Sequence, residues 1–234
     1  KQTDSRTEWA FRKPVKLIWT DPPFGTGKKQ DQRGLDYQDS CEGEAVETVI
    51  DALVNLLPYL AEEGTLCVLA DYRIIHDVSY RLKRLGLHLM GEVVWSFGLG
   101  RPRTSWWPNR HNTIVTFTKS RNAQFNASAI PREVRKAPKN GYPADKPSGS
   151  VWDKTLSNTD RERVGYPNQK PLEIITPFIL AHTEPGDWVA DPFMGSASTG
   201  HAALLHGRNF FGQDSSPGAV EIADRRLASL RLGA

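Results

Sequence analysis

Asp21-Pro22-Pro23-Phe24 brings together residue types that can hold a planar amine. An ionised carboxylate only accepts hydrogen bonds, and a proline offers a carbonyl oxygen without a competing N–H. Two successive prolines stiffen the loop, which aims the Asp21 carboxylate and the Pro22 carbonyl at one small volume. Two acceptors there suit an NH2 donor, and Phe24 can stack on the ring that carries it. Taken alone, an Asp-Pro-Pro-aromatic string is equally a rigid turn. A second group of residues lies far along the chain, in Asp191-Pro192-Phe193-Met194-Gly195-Ser196-Ala197-Ser198-Thr199-Gly200. A small-residue turn between a strand and a helix lets a ligand approach the backbone and the helix N-terminus. Asp214 follows the next strand, where an acid can accept both hydroxyls of a ribose. This pattern is generic for nucleotide sites and is also compatible with a tight turn and an exposed acid. A third string, Tyr166-Pro167-Asn168-Gln169-Lys170-Pro171, lies between the two.

The elements that must carry these motifs are legible from apolar spacing. Lys16 to Thr20 reads as a strand that stops at the prolines. Val46, Val49, Ile50, Leu53, Leu57 and Leu60 recur at helical spacing across 45–60, with Pro58 bending or ending the helix. Gly64 leads into a buried strand, 65–70. Ile74, Val78, Leu82 and Leu85 share a helical face closed by Gly86. Strands are expected at 88–95 and 113–118. Residues 120–165 lose all apolar period and read as a loop-rich insertion. After Pro171, Leu172, Ile175, Phe178 and Ile179 make a helical stripe that Pro177 should kink. A strand at 188–191, a helix at 198–206, a strand at 209–213 and a helix opening at Pro217 complete the chain. Alternating strands and helices predict an α/β fold with a mostly parallel sheet covered on both faces. The loops at Asp21 and Asp191 are expected side by side at the carboxyl ends of neighbouring strands.

Apolar residues make up 38% of the 234 and charged residues 24%, which fits one globular domain spanning 1–234. No apolar stretch is long enough for a transmembrane helix, and Lys1 to Pro14 lacks the apolar centre of a signal peptide. Cys41 and Cys67 cannot form a disulfide framework and fit a reducing cytoplasm. Neither has metal-ligand spacing, so no metal is expected. Neither follows a proline, which argues against attack by a Pro-Cys thiolate on cytosine C5. Net charge is only +3, yet residues 101–170 hold 14 Lys and Arg against 5 Asp and Glu. Such a stretch is often a solvated face. Its place between the tetrad and the small-residue turn favours a polyanionic partner. Arg101, Arg103 and Arg110 surround Trp106 and Trp107, a mixture suited to phosphates and stacked bases, although either tryptophan would also serve as core.

Taken together and in this order, the three motifs resemble the permuted β class of DNA amino-methyltransferases. In that family Asp-Pro-Pro-Tyr/Phe comes first, then a target-recognition segment, then a His-Pro-Thr-Gln-Lys-Pro-like string, and last an Asp-Pro-Phe-x-Gly-Ser-Gly-Thr turn. The resemblance runs from about Lys16 to Leu230. Tyr166 and Asn168 stand where His and Thr are usual, Ala197 replaces a glycine, Asp214 replaces Glu, and Gly25 stands where Asn is frequent.

The resemblance implies a circularly permuted, Rossmann-like methyltransferase domain that uses S-adenosyl-L-methionine. It assigns catalysis to Asp21, Pro22, Pro23 and Phe24. It assigns the cofactor to Asp21, Asn168, Gln169, Lys170, Asp191, Pro192, Phe193, Gly195, Ser196, Ala197 and Asp214. Residues 101–165, with Arg101, Arg103, Trp106, Trp107 and Arg110, become the segment that contacts double-stranded DNA. That segment is short, which implies a short target or a second subunit in a homodimer. Asp in the tetrad favours adenine N6 over cytosine N4, with the target base flipped out of the duplex. The expected setting is the cytoplasm of a bacterium or of a phage's bacterial host. Two rival readings remain. A dinucleotide-dependent oxidoreductase would carry Gly-x-Gly-x-x-Gly in its first βα unit, and this chain does not. A DNA-binding protein with a dead methyltransferase fold would not need the intact tetrad.

Overall fold

Val15–Thr20 forms β1, and its apolar side chains leave it in both directions. Ile18 enters one buried cluster, whereas Leu17 and Trp19 enter another. A strand buried on both faces needs a helical layer on each side, and the rest of the chain supplies them. The computed structural model describes residues 13–27, 29–32, 35–38, 40–98, 104–136, 140–153 and 162–231. In chain order the remaining elements are β2 (Lys29–Gln32), β3 (Leu35–Gln38), α1 (Glu42–Leu56), β4 (Leu60–Ala70), α2 (Ile75–Arg84), β5 (His88–Ser96), β6 (His111–Thr118), β7 (Arg132–Val134), β8 (Asp145–Pro147), β9 (Val151–Asp153), α3 (Leu172–His182), β10 (Trp188–Asp191), α4 (Ser198–Leu205), β11 (Asn209–Gly212) and α5 (Pro217–Arg231).

The main sheet has seven strands in the order β11-β10-β1-β4-β6-β5-β9. β1 pairs in parallel with both β10 and β4, β10 with β11, and β5 with β9. β6 runs antiparallel to β4 and to β5. From β1 the chain goes to β4 on one side, and it later returns to β10 and β11 on the other. The crevice beyond β1 and β10 is therefore the switch point of the sheet, where open α/β folds bind ligands. In β4, Leu66, Val68 and Ala70 face the helices α1 and α2, while Cys67 and Leu69 face α3 and α4. The expected double-sided α/β architecture is thus present. No helix among the described residues is long and apolar enough to cross a membrane.

Several boundaries move. The first helix begins at Glu42 and stops at Leu56, and Leu57–Tyr59 is a 3-10 turn built on Pro58. β4 begins earlier than expected, and its ladder with β1 slips between Leu60 and Thr65. Gly64 lies in the slip, where a Cβ would be 2.7 Å from Leu60 Cδ1. α3 contains Pro177 within its span. The loop-rich insertion contains more order than its composition suggests. β7 and β8 form a hairpin with cross-strand Arg132–Asp145 and Lys146–Glu133 pairs, and β9 returns to the edge of the main sheet. A hairpin of β2 and β3 follows the tetrad, where no strand was expected.

Candidate active site

Strand ends gather the motif acids. Asp21 follows Thr20 at the end of β1, Asp191 ends β10, and Asp214 lies two residues beyond β11. Ile18 is in register with Ala190, and Asp191 with Gly212. The tetrad loop and the small-residue turn are therefore neighbours although 170 residues separate their acids, as the alternation of elements implied.

Pro22 is buried beneath the tetrad, and Phe24 touches both core clusters. Gly25 has φ +68, and a Cβ there would lie 2.6 Å from the Glu42 Cα. Asn tolerates that φ, but its side chain would collide with the start of α1, which accounts for glycine at this position. Lys170 reaches the tetrad from the loop before α3. Its ammonium pairs with Asp21 Oδ2, donates to the Asn168 carbonyl at 3.1 Å, and sits 5.4 Å from the Phe24 ring centroid. Asn168 takes φ 50, a left-handed conformation that Asn tolerates. Asp21 Oδ1 is buried and has no hydrogen-bond partner among the described residues. Burial pushes the Asp21 carboxyl above its ordinary range, against the opposing pull of Lys170.

Asp191 turns inward. Its Oδ2 accepts from Thr199 Oγ1 at 2.7 Å and its Oδ1 from the Phe193 N–H at 3.0 Å. The carboxylate thus shapes the turn that follows it. Burial, aided by the negative charges of Asp21 and Asp214, pushes its carboxyl up to about 7. A raised folded-state pKa means that the unfolded chain releases the proton first. Stability contributed by this group is therefore full below about pH 4 and declines as pH rises towards 7. Asp191→Asn carries no such proton. The Tm of the wild type minus that of the variant is expected to fall as pH rises from about 5 to about 8. A difference that stays flat across those scans would show an ordinary, ionised Asp191.

Gly195 takes φ +48, and Tyr166 lies so near that a Cβ there would be 3.1 Å from its Cε1. Gly200 leaves no room either, since a Cβ would meet Phe210 Cδ1 at 2.5 Å. Ala197, where the resembled family has glycine, adopts φ 54 and ψ 43 and caps α4. Such a conformation costs an alanine about 1–2 kcal/mol, and its methyl packs with Met194 and Ala223. Asp214 accepts from the Gly195 N–H through Oδ2 and from the Ser216 N–H through Oδ1, each at 2.9 Å. Burial raises its carboxyl, while those two N–H groups pull it down. Pro192 and Ser196 lie in the same turn. Gln169 behaves differently from its neighbours. Its amide bonds the Glu162 carbonyl at 2.8 Å and the Val164 N–H at 3.0 Å, strapping the loop that carries Tyr166.

The places of two residues in the site escaped the sequence reading, in which Tyr166 stands only as a member of the third motif. Tyr166 faces both Asp21 and Asp214, and their charges together with burial push its phenol upward. Arg226, buried on α5, donates to the Ser196 carbonyl at 3.3 Å and to Ser198 Oγ at 2.9 Å behind the turn. An arginine three residues after Ala223, on the apolar stripe of the last helix, was the available signal. In the basic segment, Trp106 and Trp107 are 74% and 82% exposed, so neither is core. They and Arg110 lie in the connection between β5 and β6, at the same end of the sheet as Asp21. Arg101 and Arg103 fall outside the described residues.

Comparison with known proteins accords with this geometry. The family described as DNA methylase, of the N6/N4 methyltransferases, matches residues 15–225. The DNA adenine methyltransferase YhdJ of Escherichia coli is 28% identical over 227 residues, which cover 91% of this chain and 76% of that protein. The type II methyltransferase M.BglII of Bacillus subtilis is 28% identical over 229 residues, 92% of this chain and 64% of that protein. Among solved structures, the M1.HpyAVI–SAM complex superposes with a TM-score of 0.63 at 25% identity, covering 92% of this chain and 89% of that one. The cytosine-N4-specific PvuII DNA methyltransferase shares the fold with a TM-score of 0.70 at 19% identity, over 92% of this chain and 81% of that one. The chain belongs to the N6/N4 DNA methylase family, the S-adenosylmethionine-dependent amino-methyltransferases of DNA.

Proposed function

We propose that the protein methylates the N6 amine of adenine flipped out of duplex DNA. The observation that carries this reading is Asp21 Oδ1, a buried acceptor with no partner among the described residues, set beside the cofactor turn. A buried acceptor left open is costly, and an N–H of the target amine would satisfy it. The Pro22 carbonyl would take the second N–H. Phe24, with Pro23 holding its loop, would stack on the flipped ring. The adenine-specific function of the E. coli relative and the acid at the head of the tetrad both favour N6.

The residues fit S-adenosylmethionine. Asp214 spends one lone pair of each oxygen on a backbone N–H and keeps the others for ribose hydroxyls. Gly195, Ser196 and Ala197 at the start of α4, with Pro192, Phe193 and Asn168 around them, would line the rest. When bound, the cofactor supplies an electrophilic methyl on a sulfonium. An exocyclic amine is a weak nucleophile because its lone pair is delocalised into the ring. Acceptors at Asp21 and Pro22 favour the pyramidal amine and stabilise the positive charge that grows on nitrogen. Residues 101–165 act in this reading as a DNA-contacting insertion in a single domain, with exposed Trp106 and Trp107 for bases and Arg101, Arg103 and Arg110 for phosphates. The setting is a bacterial cytoplasm, in line with bacterial relatives.

Incubation of the protein with methyl-labelled cofactor and mixed-sequence duplex DNA, followed by nucleoside mass spectrometry, tests this reading. Label is expected in N6-methyladenine. Label in N4-methylcytosine would overturn the choice of base, and no label in any nucleoside would overturn the activity.

A further inference from the structure

We propose that Lys170 is a positioning residue for methyl transfer: it claims Asp21 Oδ2 as a fixed counter-ion and leaves Oδ1 as the acceptor for the target amine. The proposal rests on the amine-methylating reading of this site. Three contacts hold the ammonium: the Asp21 carboxylate, the Asn168 carbonyl and the face of Phe24. The Lys170 side chain is only 11% exposed, so this is a built arrangement rather than a solvated lysine that happens to lie nearby. The left-handed turn at Asn168 contributes one of the three contacts, and Gln169 braces the turn by strapping the preceding loop.

The arrangement answers a chemical problem. A buried carboxylate tends to take up a proton. Once protonated it presents an O–H to an NH2 group, which loses the acceptor the amine requires. The other ionisable groups near Asp21 supply no second cation. Asp191 ends the adjacent strand β10, Asp214 follows β11, and both are acids, while the Tyr166 phenol supplies no cation. On the β4 side, Asp71 is paired with Arg73, which also meets Glu42 at 3.8 Å. Among the described residues the cation acting on Asp21 is Lys170. It reaches one oxygen only, and that asymmetry leaves Oδ1 unfilled. Lys170 thus opposes protonation of the acid and settles which oxygen meets the substrate.

The sign of the pH effect follows. Removing the ammonium removes an influence that holds the Asp21 carboxyl down, so the acid limb of the single-turnover methylation profile should move to higher pH. An opposite charge in contact is worth about 1–3 pKa units, so Lys170→Met is expected to shift that limb upward by at least about one unit. Lys170→Arg should restore the wild-type limb, and Lys170→Gln is read in parallel in case the Met variant does not fold. A second measurement is independent of activity: carboxyl 13C NMR titration of Asp21 in the cofactor-free protein, with the resonance assigned from Asp21→Asn. The Asp21 midpoint should rise in the Met and Gln variants and return in the Arg variant. If both limb and midpoint stay at wild-type values while cofactor affinity falls at every pH, Lys170 is only a cofactor contact and the proposal fails. If the wild type methylates nothing, the methylating reading fails, and the titration still decides whether the ion pair governs Asp21.

Discussion

Asp21→Ala is expected to lower the single-turnover rate of DNA methylation by on the order of 10²-fold or more, the scale for removing a preorganised electrostatic partner. Cofactor affinity should survive, because Asp214 and the α4 turn lie on other strands. The reason for so large an effect is differential. In the ground state Oδ1 offers the amine one hydrogen bond, whereas in the transition state it also faces a growing positive charge on nitrogen. DNA affinity should change little, since phosphate contacts dominate it. The alanine also strands Lys170, whose ammonium would then keep only the Asn168 carbonyl and the Phe24 ring. Asp21→Asn separates the two consequences, because it keeps an oxygen acceptor and removes the charge. Measurement is by quench-flow at saturating cofactor. A mutant within a few-fold of wild type would reduce Asp21 to a turn residue and remove the basis of the proposed mechanism.

Asp214→Ala should act on the other term, weakening S-adenosylmethionine binding by on the order of 10²-fold with a much smaller loss of rate at saturation. Ribose is the same in ground and transition states, so its contacts contribute uniform binding. A hydrogen bond to a charged group is worth about 1.5–3 kcal/mol, and two ribose hydroxyls are at stake. The same carboxylate accepts from Gly195 and Ser216, so the alanine variant should also lose thermal stability without any ligand. Asp214→Glu, the residue common in the resembled family, tests reach. Calorimetric titration of the folded variants reports the affinity directly. An unchanged Kd for Asp214→Ala would withdraw this acid from the cofactor site.

Much of the frame was readable from residue patterns because buried parallel strands announce themselves. Trp188–Asp191 and the run from Thr65 to Ala70 are short apolar stretches bounded by turn residues; the first became a strand where expected, and the second lies inside a strand that starts at Leu60. The adjacency of Asp21 and Asp191 followed from alternating strands and helices. What escaped was order that depends on long-range partners. β9 has three residues and no apolar period; it is a strand because β5 offers an edge and because Trp152 packs on Phe178 at 5.5 Å. The helix expected after Pro171 is present as α3 and continues through Pro177, with Ile174, Ile175, Phe178 and Ile179 buried on either side. Motif membership also concealed a division of labour. Asp191 and Gln169 stand in motif strings assigned to the cofactor, but their side chains bond their own loops. Only geometry separates a residue that builds a turn from one that faces a ligand.

The ladder between β1 and β10 has a consequence for how such a protein can diversify. Parallel neighbours lie about 4.8 Å apart, so the span from the cofactor turn to the tetrad is set by main-chain hydrogen bonds in the middle of the sheet. Among the described residues, the β7–β9 segment enters that sheet's ladder only at its far edge, through three residue pairs of β9 with β5. Inheritance can therefore rewrite the outlying segment, by insertion, deletion or exchange with another gene, while the spacing at the centre stays as it was. New target sequences become accessible to an old reaction, and the lineage need not rediscover the chemistry each time its preference changes.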